Sequence, residues 1–261
     1  MRLKITCQIN SSNLSVNYNY GIFKAIQKLL RIETKELNDF LYESGYLFDL
    51  DRFNLFTFSL RFEKMRMNGP VINLLSQRAY LYVSFPIIGE FLMDRFLRND
   101  APSEMEVTIE NDTKEFKVLR IDVLPEPEIT DSMKFILLSP MVLSVKKQLD
   151  GRYGVYYLRP EDMSELNKQL SDNLSKKYAL NNKLLNYTGQ INVEWEKDYT
   201  EKHSRITKKI TVENPFGKSM EIIGILSPFT ISGDTNLIKT GLECGFGEKT
   251  YYGLGMAEVI L

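Results

Sequence analysis

GLECGFGEKTYYGLGMAEV, from Gly241 to Val259, packs five of the chain's fifteen glycines into nineteen residues, and its reading decides the fold. Ahead of the cluster, DTNLIKTGLEC carries apolar residues at helical spacing, with Asp234 placed as an N-cap. Behind it, LGMAEVIL reads as a strand. A helix-to-strand order is the reverse of a dinucleotide-binding turn, which leaves a strand and opens a helix with G-x-G-x-x-G. Gly245-Phe246-Gly247 is followed by Thr250 where that fingerprint needs glycine, and no Gly-Lys-Ser/Thr closes the run as a Walker loop would. Two readings stay open. The glycines either relieve clashes in a turn, or they build a loop whose exposed amides, with Lys249, Tyr251 and Tyr252, meet a phosphate backbone.

At 261 residues the chain accommodates one large domain or two of about 130. With 43% apolar and 26% charged residues it has the composition of an ordinary globular protein. No apolar run reaches membrane-spanning length, and MRLKITCQI lacks the apolar core of a signal peptide. A cytoplasmic location without a membrane partner is therefore expected. Cys7 and Cys244 are far apart and in no paired spacing, which excludes a disulfide framework and a cysteine zinc site. A single histidine, His203, rules out most histidine-based metal sites, so no metal or other cofactor is expected. The net charge of −1 argues against bulk nucleic-acid affinity, so any such binding must come from local patches.

Along the chain, RLKITCQI alternates as a strand and GIFKAIQKLL sets Ile22, Phe23, Ile26, Leu29 and Leu30 on one helical face. TKELNDFLYESGY reads as a further helix from Thr34 to Gly45; FNLFTFSLRFEKM and AYLYVSF read as strands. IIGEFLMDRFLRND follows as an amphipathic helix, and EMEVTIEN with EFKVLRIDVL as a hairpin. LPEPEITDS, Leu124 to Ser132, has two prolines and no periodicity and reads as a linker. Beyond it the pattern recurs: strands at KFILLSP and MVLSVKK, a helix near 161–178, strands at INVEWEK, SRITKKITV and MEIIGILSPF, then the helix and strand that flank the glycines. The expected fold is α+β, with two tandem ferredoxin-like (RRM-like) domains, 1–124 and 133–261, a groove between their sheets and a C-terminal glycine-rich loop.

GFGEKTYYGLGMAEV resembles the C-terminal glycine-rich signature of the CRISPR repeat-RNA processing endoribonucleases, the sixth CRISPR-associated protein family within the RAMP superfamily. Other stretches fall in that family's order: YNYGIFKAIQKLL with FLYESGY and NLFTFS, then FILLSPMVLSV, then LNKQLSDNLSKKYAL. The resemblance implies binding of CRISPR repeat RNA and metal-independent cleavage of precursor CRISPR RNA. In that chemistry a ribose 2′-hydroxyl attacks the adjacent phosphate, assisted by a general base, a general acid and a charge-stabilising cation.

Family members carry a histidine after the first helix in a stretch like YLHE, a tyrosine on that helix and a lysine before the LFT strand. Here Tyr42 stands for the histidine, Gln27 and Lys28 lie near the tyrosine position, and Asn54 precedes LFTFS, with Arg52 two places earlier. Tyrosine is a poor base near neutral pH, since its unperturbed pKa is about 10, and arginine stabilises charge but does not act as a base. The catalytic candidates are accordingly Tyr42, Lys28, Arg52 and the substitute His203. The last lies in the basic stretch EKHSRITKK, read as a strand or hairpin. Phosphate contacts are expected from Lys202, Arg205, Lys208, Lys209 and Lys249, and from the loop glycines Gly245, Gly247, Gly253 and Gly255. The alternative reading is a non-cleaving repeat-RNA-binding protein or a subunit of an interference complex; a homodimer is compatible with either. Tyr18, Tyr20 and Trp195 read more simply as packing residues.

Overall fold

In the computed structural model the structure describes residues 1–30, 46–48, 51–86, 102–149, 152–213 and 219–260. The alternation of RLKITCQI produces a half-apolar strand, β1 (Arg2–Ile9), with Leu3, Ile5, Cys7 and Ile9 buried along one face. On one side β1 pairs with β8 (Arg78–Ser84), which pairs in turn with β5 (Thr57–Phe62). On the other it pairs with β10 (Asp112–Leu124), which continues to β9 (Glu104–Ile109). All pairings in this five-stranded sheet are antiparallel, in the order β5-β8-β1-β10-β9. The β9–β10 hairpin expected from the sequence turns on Glu110 and Asn111, whose φ angles of 49° and 68° suit a two-residue turn that follows the strand twist. Helix α1 (Asn19–Leu30) lays Ile22, Phe23 and Ile26 on the same core, where Phe23 stacks on Phe56 and Phe56 on Phe85.

The second half repeats the plan. β11 (Ser132–Leu137) lies between β17 (Phe229–Gly233) and β18 (Ala257–Val259), with β14 (Ile191–Trp195) beyond β17. Helices α2 (Met163–Asn181) and α4 (Thr235–Cys244) share its core, which holds Leu166, Leu170 and Leu174 from the first and Leu237, Ile238 and Leu242 from the second. In both halves the first strand sits between the third and the last, and the second strand flanks the third. That is the strand order of a ferredoxin-like unit. The fold is α+β, with two such units in tandem, and the chain from 125 to 131 that joins their sheets carries no strand.

The remaining strands are hairpins and small sheets on this frame. They are β2 (Asn13–Ser15), β6 (Met65–Asn68) and β7 (Val71–Leu74); β3 (Tyr46–Phe48) with β4 (Asp51–Phe53); β12 (Ser144–Leu149) with β13 (Arg152–Tyr157); and β15 (Thr207–Glu213) with β16 (Ser219–Ile225). Three sequence expectations need correction. FNLFTFSLRFEKM is broken rather than one strand, because 54–56 leave the ladder to bury Leu55 and Phe56 between β4 and β5. MVLSVKK becomes a strand only at Ser144, since Met141 and Val142 make isolated bridges to Ile225 and Gly247. EKHSRITKK is the end of a short helix, α3 (Lys197–Lys202), then a loop and the start of β15. The helices expected over 34–45 and 87–100 lie outside the described residues. No helix among the described residues is long and apolar enough to cross a membrane.

Candidate functional site

Asp234 starts α4 as the sequence suggested, its carboxylate accepting the Asn236 N–H at 2.9 Å. The helix ends at Cys244, and the chain then threads between the two units. Gly247 has φ +93°, and a Cβ there would stand 2.3 Å from the Val142 carbonyl oxygen. Gly253 has φ +71°, and its Cβ would meet the Phe58 ring at 2.6 Å. Left-handed backbone and lack of room together admit only glycine.

The loop's polar groups are engaged internally. Phe246, Glu248 and Gly255 donate their N–H groups to Gly255, Val142 and Pro140 carbonyls at 2.7–2.8 Å. Side chains of the first unit donate to loop carbonyls: Asn19 to Tyr252 at 2.6 Å and Thr57 to Leu254 at 3.0 Å. Burial corrects the expected picture of exposed amides at Gly245, Gly253 and Gly255, whereas Gly247, also buried, borders a cleft. All four glycines are buried, and the segment is a seam between the units.

What holds the seam from the second unit is Lys177. Its position continues the buried stripe of α2 after Leu166, Leu170, Asn173 and Leu174, so the ammonium points into the protein. Nζ donates to the carbonyls of Gly245 and Gly247 at 2.7 Å each. Burial lowers its pKa to about 8. Next to it, Glu248 accepts from the Ser144 N–H and hydroxyl, both at 2.8 Å, while burial pushes its carboxyl up. A cleft of about 440 Å³ opens above these groups, lined among others by Asn54, Ser144, Lys146, Lys177, Lys249 and Tyr251. Its carboxylates are occupied, Glu248 by Ser144 and Asp172 by Lys176 at 2.9 Å. Lys146 and Lys249 are in no ion pair among the described residues, so the cleft is cationic and suited to an anion.

Of the sequence-derived catalytic residues, Lys28 and His203 have described side chains, and neither lines this cleft. Tyr42 lies outside the described residues, and of Arg52 only the backbone is described, on β4 opposite Leu47. Arg52 nevertheless directly precedes Phe53 and Asn54, which do line the cleft. Lys28 is exposed near the end of α1, 3.8 Å from Glu106 of β9, and does not line it. His203 follows α3, where its ring stacks on Tyr199 at 4.0 Å and Nδ1 donates to the Tyr199 carbonyl at 2.9 Å. It lines a separate open cavity of about 890 Å³ with Arg159, Trp195, Lys197 and Arg205.

The basic stretch is likewise divided by local structure. Lys202 ends α3 and Arg205 faces the His203 cavity. Lys208 and Lys209 point to opposite faces of β15, as neighbours on a strand must. Lys209 lines a groove of about 420 Å³ between the units with Tyr18 and Arg61, and it pairs with Glu221. The packing readings hold: Tyr18 meets Phe62 edge-on at 5.8 Å, Tyr20 lies 6.5 Å from Tyr252, and Trp195 meets Phe229 at 6.1 Å. Lys177, Ser144, Thr57 and Asn19 escaped the sequence reading. Only Lys177 left a signal, a lysine at an apolar position of the α2 repeat.

Residues 124–259 match the family model described as CRISPR associated protein Cas6, C-terminal. The chain is 28% identical over 260 residues to CRISPR-associated endoribonuclease Cas6 1 of Methanocaldococcus jannaschii, covering 97% of this chain and 91% of the relative. It is also 28% identical over 251 residues to CRISPR-associated endoribonuclease Cas6 of Pyrococcus furiosus, covering 94% and 83%. Among solved structures, a Cas6-related protein from Pyrococcus furiosus superposes with TM-score 0.76 at 24% identity, covering 100% of this chain and 98% of that one. A RAMP protein described as binding different RNA substrates gives 0.75 at 22% identity, covering both chains fully. These structural likenesses speak to fold.

Proposed function

Because this chain belongs to the family of CRISPR associated protein Cas6, we propose that it binds CRISPR repeat RNA and cuts precursor CRISPR RNA by metal-independent attack of a ribose 2′-hydroxyl. The observation that carries this reading is a cationic cleft at the glycine seam, inside the matched segment and bordered by Asn54 of the first unit. The division at the coil after β10 supports treating 1–124 and 133–261 as two domains that grip the RNA together.

Chemically, the 2′-hydroxyl must lose a proton as its oxygen bonds to phosphorus, and the departing 5′-oxygen must gain one. Negative charge accumulates on the non-bridging oxygens in between, where Lys249 at the cleft supplies compensation, joined by Arg52, which directly precedes the cleft residues Phe53 and Asn54. Tyr42 and Lys28 are the acid-base candidates by motif position alone, Lys28 being exposed beside Glu106 and outside the cleft. Lys177 takes no proton-transfer role in this scheme, since both its bonds go to loop carbonyls. The product is a 2′,3′-cyclic phosphate and a free 5′-hydroxyl.

Purified protein incubated in EDTA with the repeat of its own CRISPR locus tests this. Cleavage once per repeat, with a cyclic phosphate or its hydrolysis product, is expected. A repeat with 2′-deoxy at the scissile nucleotide should bind and stay intact. A second reading, a non-cleaving repeat-RNA-binding protein or interference-complex subunit, is favoured by one observation: the only histidine lines a cavity apart from the cleft. Tight binding with no cutting of the all-ribose repeat would decide for it.

A further inference from the structure

The cleft has a wall that neither the family motifs nor the glycine seam accounts for. Strands β12 and β13 form a ribbon with Ser144 opposite Tyr157, Lys146 opposite Val155 and Gln148 opposite Tyr153. Since side chains alternate, these six lie on one face. On the other, Val145 and Tyr156 pack against the core of the second unit, and Lys147 Nζ sits 4.0 Å from the centre of the Tyr156 ring. A two-stranded ribbon is marginal by itself in water, and this one is held by that packing and by the two bonds from Ser144 to Glu248.

The first face therefore starts anchored at the floor of the cleft and runs outward. Lys146 and Val155 line the cleft, and one pair further along stands Tyr153. Tyr153 is 83% exposed, and among the exposed large apolar side chains of the described residues only Leu185, at 96%, is more so. Val155 beside it is 56% exposed. An aromatic ring and an unpaired ammonium thus stand in succession on a braced ribbon, continuous with a cationic cleft. Alternation of a stacking platform with a phosphate contact is what a single-stranded polynucleotide engages.

We propose that the Lys146–Tyr153–Val155 face of the β12–β13 ribbon is a docking surface for the single-stranded RNA that leaves the cleft, with Tyr153 stacking on a base and Lys146 contacting a phosphate. The proposal rests on the RNA-binding reading above. Stacking on an aromatic ring is worth about 1–3 kcal/mol per base. One phosphate contact contributes about 0.7–0.9 to the slope of log K against log salt.

The test measures binding of the full chain to the repeat RNA of its own locus, by fluorescence anisotropy across a salt series. Tyr153→Ala should weaken binding about 5- to 150-fold, and Tyr153→Phe should restore it because the ring remains. Lys146→Ala should weaken binding and flatten the salt slope by about one, whereas Tyr153→Ala should leave that slope unchanged. Both side chains are exposed, so thermal unfolding of the variants should match the parent. Parent-like affinity of both alanine variants, with the parent protein binding tightly, would overturn the ribbon proposal and leave the RNA-binding reading standing. Absence of repeat binding by the parent protein would overturn both. A loss in Tyr153→Phe equal to that in Tyr153→Ala would assign the effect to the hydroxyl and refute stacking.

Discussion

Replacing Lys177 with methionine keeps the side chain's length and removes its charge, and the consequence should be read against pH. In the folded protein burial holds the ammonium at a pKa of about 8, against 10.5 when unburied. That displacement is worth about 3.4 kcal/mol. Since the folded value is the lower one, the unfolded chain binds the extra proton between those two pH values, and stability increases as pH rises through that window. The contribution is fully unfavourable below about pH 8 and is relieved by about pH 10.5. The neutral amine still has two N–H groups for the carbonyls of Gly245 and Gly247, so deprotonation leaves the seam bonded.

Methionine loses those bonds, and leaving two buried carbonyls without a donor costs about 1–3 kcal/mol each. Near pH 7 this opposes the relief of the buried charge, so the absolute difference between the proteins is a poor test. Its change with pH is a good one. Stability of the parent relative to Lys177→Met should rise by about 1.3 kcal/mol from pH 7 to pH 9, and by about 2.5 kcal/mol by pH 10. Urea unfolding at each pH, followed by circular dichroism, measures both, and the titrations common to the two chains cancel. Parallel curves, or a parent that loses ground at high pH, would refute the buried-ammonium assignment.

The glycine seam makes a second prediction: Gly253→Ala must adopt left-handed backbone and push on the Phe58 ring, so it should lose about 2–5 kcal/mol. Gly69→Ala has a similar φ of +57° with nothing within 4 Å, and should lose only the backbone share, about 1–2 kcal/mol, by the same urea titration. The division of the basic stretch makes a third. Lys209→Ala, at the groove between units, should flatten the salt dependence of repeat binding by about one, while Lys202→Ala should leave it unchanged. For the chemistry, single-turnover cleavage at saturating protein should fall about 10²–10⁴-fold when an acid-base partner is removed, as tested by Tyr42→Phe and Lys28→Ala. Arg52→Ala should slow the step through lost charge stabilisation. His203→Ala should leave it at the parent rate, and abolition there alone would move the active site to the other cavity.

Most of the fold was legible in the chain because local patterns carry it. The period-two burial of RLKITCQI, the helical stripe of GIFKAIQKLL, the Asp234 cap and the two-residue turn at Glu110-Asn111 are decided within a few residues of each other. Repetition of strand, helix and paired strands on both sides of LPEPEITDS then points to two similar units. What the glycines meet was not legible. Gly253 needs glycine because Phe58, nearly two hundred positions earlier, occupies the space a side chain would take, and that adjacency exists only once the units dock. The same holds for the cleft, where Asn54, Ser144, Lys177 and Lys249 converge from four separate segments. Conversely, the cations of EKHSRITKK look like one patch on paper, yet a helix end, a loop and the two faces of β15 point them apart. A sequence displays spacing along one dimension and so determines which face of an element is apolar. Which side chains share a cleft depends on the packing of elements distant in the chain, and only the tertiary structure decides that.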